Sequence, residues 1–144
     1  METETMGKVL VTAKIENLAD LHHVQSGMKT KEQVRGVEVT DALVDTGASG
    51  LSLPKRLIGQ LGLLPTRTRQ ARTSAGRIPL QGYGAVRLTI QGRDCITDVT
   101  EIPDDCPVLI GQVPLELLDF VVDPIKQRLI GNPEHGGEEM IELY

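Results

Sequence analysis

The chain has 144 residues, which corresponds to one domain with a core of its own. Its 20 acidic and 15 basic residues give a net charge of −5, which excludes the strongly basic surface of a general nucleic-acid binder. The composition, 40% hydrophobic and 24% charged, is that of a folded domain, and no apolar run reaches the roughly 18 residues of a membrane span. We therefore expect neither nucleic acid nor membrane among its partners.

The scarce aromatic, cysteine and histidine residues exclude further classes of site. One Phe, two Tyr and no Trp leave an aliphatic core and no platform for stacking bases. Cys95, Cys106 and the three histidines form no zinc-binding pattern, so we expect no metal site, and we expect no cofactor. We expect reduced thiols, because the alternative, a disulfide, needs an oxidising compartment that the N-terminus does not indicate. The acidic, polar start Met1–Thr5 differs from a signal peptide and predicts a cytoplasmic location.

In the first part of the chain, two strands and a loop are predicted. Lys8–Ile15 and Val37–Val44 are rich in β-branched residues and favour strands. Residues 16–36 between them are polar and contain two glycines, so they are predicted to form a long loop or a hairpin.

The next segment predicts an extended stretch followed by a helix. Leu51–Leu53 is typical of a strand, and Pro54 suits the first position of a helix. Leucine and isoleucine then recur at helical spacing up to Gly62, where we expect the helix to end.

The rest of the chain predicts hairpins and short strands. Arg67–Thr73 and Ile78–Leu80 flank Ser74–Arg77, a turn that contains glycine. A short helix is expected at Pro114–Asp119, and loose structure at residues 131–139. Further strands are expected at Val86–Ile90, Cys95–Ile102, Val108–Gly111, Phe120–Val122, Arg128–Ile130 and Met140–Tyr144. Many short strands with few helices predict a mostly β barrel or sandwich.

The motif best suited to chemistry is Asp45-Thr46-Gly47, directly after the apolar strand end Leu43-Val44. Gly47 permits a tight turn and lets its N–H approach the carboxylate without a Cβ in the way. The Thr46 hydroxyl can bond to neighbouring backbone. The simpler interpretation is an ordinary turn between two strands, because a given tripeptide occurs by chance in about 1–2% of chains this long.

The wider pattern is more specific. Val-Asp-Thr-Gly-Ala-Ser at 44–49, a strand and a Pro-led helix, a glycine-turn hairpin, and Val-Leu-Ile-Gly at 108–111 before a helix follow in order. This order resembles the retropepsin-like aspartic proteases, the single-motif relatives of pepsin. The resemblance spans about residues 7–131 of a single domain, 1–144, and leaves 132–144 as a C-terminal tail. It implies a closed β-barrel with one or two short helices.

The resemblance also implies an activity and a partner. An aspartic endopeptidase needs two carboxyl groups, one to take a proton from water and one to protonate the scissile carbonyl. This chain contains a single Asp-Thr-Gly, so the second Asp45 must come from another copy in a symmetric homodimer acting on a peptide or protein. The alternative function is a non-catalytic dimeric module that binds peptides or acts as a scaffold.

Residue roles follow from the same resemblance. Asp45 is the catalytic acid and base, the Thr46 hydroxyl reaches the partner's loop, and Gly47 hydrogen-bonds the carboxylate. Substrate contacts are implied for Ala48, Ser49, the flap tip Ala75-Gly76, Leu109 and Ile110.

Two features depart from the viral pattern or stay open. Viral members often carry a carboxylate at the position of Ser49 and an arginine at that of Gln112, and we expect a neutral hydrogen bond to replace this ion pair here. Four arginines cluster in and near the hairpin. Their simpler interpretation is a solvated edge that resists aggregation, and the alternative is attraction of acidic substrate residues. The cluster consists of Arg67, Arg69, Arg72 and Arg77.

Overall fold

The computed structural model describes residues 8–143, so Met1–Thr5 and Tyr144 lie outside the described residues. The cytoplasmic location, which depended on the first of these segments, stays a prediction. Nine strands are present in the described part: β1 Val9–Asn17, β2 Gly36–Val44, β3 Leu51–Pro54, β4 Leu64–Thr73, β5 Gly76–Ile90, β6 Arg93–Ile102, β7 Leu109–Ile110, β8 Phe120–Asp123 and β9 Arg128–Gly131. The helices are α1 Leu18–Gln25, α2 Lys55–Leu61 and α3 Gln112–Leu117, with 3₁₀ turns at Lys31–Gln33 and Pro133–His135.

Seven strands form one sheet in the order β1-β2-β7-β3-β6-β5-β4, and β1 also pairs with β5. The pairings therefore lead from β1 through five other strands and back to β1, with β4 outside this circuit. Strands β8 and β9 form a separate hairpin. The predicted mostly β class is confirmed.

The core is aliphatic, as the composition predicts. Along β1 the residues alternate between buried and exposed from Val9 to Ile15, which is the period of a strand with one face in the core. The largest fully buried side chains are leucines, isoleucines and valines from β1, β3, β5, β6 and β7, from α2 and α3, and from Leu118 directly after α3. Helix α2 ends at Gly62, as predicted, with the left-handed φ of 62° that glycine adopts without strain.

Residues 16–36 are not a plain loop, and the described residues contain three α-helices instead of the expected one or two. Asn17 caps α1, where its side chain accepts a 3.0 Å hydrogen bond from Asp20 N. The buried Asp20 carboxylate accepts hydrogen bonds from Lys29 Nζ at 2.6 Å and Arg35 Nε at 2.9 Å. These bonds hold the helix and the following turn together, which polar composition alone does not reveal.

The C-terminal segment also differs from expectation. Residues 140–143 form no strand. Residues 131–139 contain a 3₁₀ turn at Pro133–His135, and Asn132 N joins them to the domain by donating a 3.0 Å hydrogen bond to Asp119 O. His135 lies between two carboxylates, with Nδ1 2.6 Å from Asp119 Oδ2 and Nε2 2.9 Å from Glu142 Oε2. Hydrogen bonds to Glu142 and Asp119 raise the pKa of His135 above its ordinary value. Within residues 8–143, no helix is long and apolar enough to cross a membrane.

Candidate active site

The Asp45 loop connects the end of β2 to the start of β3. Asp45 N donates a 2.9 Å hydrogen bond to Ile110 O, and Ala48 N donates to Asp45 O at 3.0 Å. Gly47 N donates to Asp45 Oδ1 at 3.0 Å, as the sequence predicts. A Cβ on Gly47 would lie 3.3 Å from that oxygen, tighter than most such contacts, so glycine suits the approach. The loop presents the carboxylate half-exposed and oriented by backbone N–H.

Strand β7 fixes the position of this loop. Leu43 and Val44 pair in parallel with Leu109 and Ile110, while Leu51 on the other side pairs antiparallel with Ile110. The two strands that bracket the Asp45 loop are therefore held apart by β7. Ile110 is fully buried, so its side chain has no surface for a peptide. The structure corrects the expected substrate contact of Ile110 to a role in the core.

Gly111 directly follows β7 and is hydrogen-bonded to the Asp45 loop. Its N donates to Gly50 O at 2.9 Å, and the next two amides donate to Ala48 O and Ser49 O at 2.9 Å. The neutral side-chain bond expected between Ser49 and Gln112 is absent from the bonds among residues 8–143. Backbone bonds make this connection instead, so the exchange of a charged pair for Ser and Gln leaves the loop supported.

A cleft of about 460 Å³ begins at the same loop. Its walls are Ser49 and Gly50, Val113 of α3, both arms of the β4–β5 hairpin, and residues 97–100 of β6. Of the predicted site residues, only Ser49 lines it, and Asp45 lies on the same loop outside its lining. A larger groove of about 520 Å³ lies against β1, β5 and β9 and contains none of the predicted site residues.

A family model described as aspartyl protease matches residues 31–114, more than half of the chain. The chain belongs to this family. The match extends from the segment before β2 through the Asp45 loop, the hairpin and β7 into α3. It thus contains every element that shapes the site. No curated protein matches the chain.

In this family member, the predicted flap is the far end of the β4–β5 hairpin. Thr73 pairs with Gly76 across the turn, and the Thr73 hydroxyl donates to Gly76 O at 2.8 Å and accepts from Ala75 N at 3.2 Å. Gly76 has a backbone φ of 111°, which residues other than glycine rarely adopt. The tip is exposed and, in this chain alone, does not line the cleft.

The Thr46 hydroxyl is exposed and has no hydrogen-bond partner within residues 8–143. Leu109 is half-buried beside the loop, and Ala48 is half-buried within it. Neither Ala48, Leu109, Ala75 nor Gly76 is brought into the cleft lining.

The histidines and cysteines of the chain lie outside the Asp45 loop. No three His, Cys, Asp or Glu side chains of residues 8–143 are placed to hold a metal ion, and His22 and His23 lie in α1. The two cysteines are free, and burial raises the pKa of Cys95 to about 11. This thiol is therefore protonated at neutral pH.

Sequence reasoning did not identify most of the cleft walls. Arg67, Arg69 and the residues from Thr97 to Thr100 come from strands that are far apart in sequence and meet through the register of β4, β5 and β6. The clustered arginines were the one available signal. Which of these arginines face the cleft depends on the register in which the strands pair.

Proposed function

We propose that this chain is an aspartic endopeptidase that hydrolyses peptide or protein substrates as a homodimer. The observation that supports this most directly is the Asp45 loop, in which a half-exposed carboxylate is oriented by Gly47 N and supported from β7. A binding module would have no use for this carboxylate.

The chemistry requires two such carboxyl groups. Two carboxyls about 3 Å apart cannot both ionise, so they share one proton. The ionised member takes a proton from water as that water attacks the scissile carbonyl carbon, and the protonated member gives its proton to the carbonyl oxygen. The chain supplies one Asp45, and a twofold axis through the loop would supply the other.

Exposed groups around Asp45 support the remaining roles. The Thr46 hydroxyl has no hydrogen-bond partner among residues 8–143 and is available to the partner's equivalent loop, and the exposed Gly47 is available to the peptide backbone of a substrate. In the dimer, Ala48 and Ser49 contact substrate, Leu109 borders a side-chain pocket, and the flap tip Ala75-Gly76 closes over the peptide. We further propose that the circuit of strand pairings is the closed barrel of the family.

The decisive experiment compares Asp45→Asn with wild type in a peptide-library digest read by mass spectrometry at several pH values. Asn has nearly the shape of Asp but cannot act as the acid or base, so hydrolysis should fall by several orders of magnitude. Asp41→Asn, the same change at an exposed position of β2 shortly before the Asp45 loop, is the matched control and should cleave like wild type.

Circular dichroism and sedimentation establish that each variant folds and dimerises. Cleavage by Asp45→Asn at the wild-type rate would refute the proposal. A wild-type dimer that binds peptides without cleaving any would favour the scaffolding module instead.

A further inference from the structure

We propose that the cleft beside the Asp45 loop selects acidic peptide segments, and that Arg67 and Arg69 are its specificity-determining residues. The inference rests on the proposed function for the identity of the ligand as a peptide. Its evidence is separate, because it comes from the charge and position of the β4–β5 hairpin.

The charge of the hairpin is opposite to that of the protein. Residues 64–82 contain four arginines and no Asp or Glu, in a chain whose net charge is −5. All four arginines are exposed, and none forms an ion pair within residues 8–143. By contrast, Arg35 and Arg87 elsewhere each hold a carboxylate at 2.9 Å. The hairpin arginines therefore need not break an internal pair to bind a ligand.

Two of the four arginines face the cleft. Arg67 and Arg69 line it, together with Ser49 and Gly50 from the Asp45 loop. The lining contains one carboxylate, Asp98, which forms no ion pair with either guanidinium. The cleft wall thus carries an excess of positive charge next to the proposed catalytic loop.

A peptide carboxylate is the ligand that suits these groups best. A guanidinium presents planar, paired donors that match a carboxylate, and the positive wall offsets the repulsion that a protein of net charge −5 exerts on an acidic peptide. Nucleic-acid phosphate would match the same donors. It is disfavoured because the chain has only one Phe, two Tyr and no Trp to stack bases.

The test measures binding to full-length Asp45→Asn, so that no substrate is consumed. The probes are two fluorescent decapeptides that differ only in Glu or Gln at alternate positions, at physiological ionic strength. The Glu peptide should bind at least about tenfold more tightly, since hydrogen bonds between charged groups contribute more binding free energy than hydrogen bonds between neutral groups. Adding R67Q/R69Q should abolish that difference.

The matched control is R72Q/R77Q, which removes the same charge from the same hairpin at positions outside the cleft lining. It should retain most of the preference. Equal affinity for the two peptides, or equal loss in both double variants, would overturn the proposal. So would tighter binding of a single-stranded oligonucleotide than of the Glu peptide.

Cleavage separates this inference from the proposed function. If wild type cleaves peptides through Asp45 but without preference for acidic residues, the endopeptidase stands and the inference fails. If nothing is cleaved, yet the Glu peptide binds through Arg67 and Arg69, the inference stands and the proposed catalysis fails.

Discussion

Gly111, the residue between β7 and α3, packs directly against the backbone of the Asp45 loop. A Cβ there would lie 2.6 Å from Gly50 O and 2.7 Å from Ala48 O, both backbone atoms that cannot move without the loop. The absent side chain is what lets three backbone hydrogen bonds join the loop to α3. Positioning of Asp45 therefore depends on a residue that has no chemistry of its own.

We predict that Gly111→Ala loses at least about 2 kcal/mol of unfolding free energy, as overpacking against a fixed backbone does. It should also lose most hydrolysis, because the loop must shift. Urea denaturation measures the stability. Gly59→Ala is the control: its Cβ meets no atom within 4 Å, and alanine in a helix should stabilise by up to about 1 kcal/mol. A Gly111→Ala protein as stable as wild type would contradict the tight approach.

At the scale of elements, the β4–β5 hairpin has two distinct parts. From Gly82 onward β5 also pairs with β6, whereas the outer part, from Thr68 to Gln81, pairs only within the hairpin. The residues from Leu64 to Pro79 are exposed except for half-buried Ala71. The outer part thus has no core beneath it, which suits a flap that must open and close.

We predict that amides from Thr73 to Ile78 exchange with solvent much faster than those of Leu109 and Ile110, because β7 is paired on both sides and Ile110 is fully buried. Hydrogen exchange followed by mass spectrometry resolves both segments. Equally slow exchange in the two would contradict the assignment of the flap.

The unit formed by α1 and the following turn is held by Asp20. Hydrogen bonding from the Arg35 guanidinium, aided by Lys29, holds the pKa of Asp20 well below its ordinary range despite burial. Because folding lowers the pKa of Asp20, its ionised carboxylate contributes to the free energy of unfolding. That contribution is present in full above the ordinary pKa of about 3.9 and is lost as the pH falls from there through the lowered pKa.

We predict that Asp20→Asn lowers the free energy of unfolding by about 2 kcal/mol at pH 7. This figure takes into account that Arg35 and Lys29 are partly exposed, so that solvent screens their interaction with Asp20. The gap from wild type should shrink as pH falls below about 4. Denaturation at several pH values measures it, with the exposed Glu32→Gln as control. A gap that stays constant down to pH 2 would contradict a role of the charge.

At the scale of the whole molecule, one chain presents half of the proposed machinery. It contains a single Asp-Thr-Gly, and its Thr46 hydroxyl lacks a partner within residues 8–143. Activity should therefore belong to the pair and not to the chain.

We predict that activity falls with the square of protein concentration below the dissociation constant of the dimer, because dimer formation is second order. At concentrations far above it, an excess of Asp45→Asn should suppress wild-type activity by forming mixed pairs. Asp41→Asn, which keeps the catalytic group, should not suppress it. Activity that stays proportional to concentration at high dilution would contradict the dimer.

Local features of the sequence determined much of this protein. The alternation in β1, the helix that ends at Gly62 and the Asp-Thr-Gly turn each depend on neighbouring residues, whose spacing and backbone preferences are visible in the chain itself. The order of such features along the chain predicts the mostly β class and the aspartyl protease family.

Only the tertiary structure decided the rest. Helix α1 is stabilised by the hydrogen bond between Asp20 and Arg35, fifteen positions away. The helix is only eight residues long, and its weakly amphipathic sequence does not predict a helix by itself. The insertion of β7 between β2 and β3, and the placement of Arg67 and Arg69 on the cleft wall, depend on strand register. Register is set by which side chains pack together across the whole domain, and no local stretch of sequence contains that information.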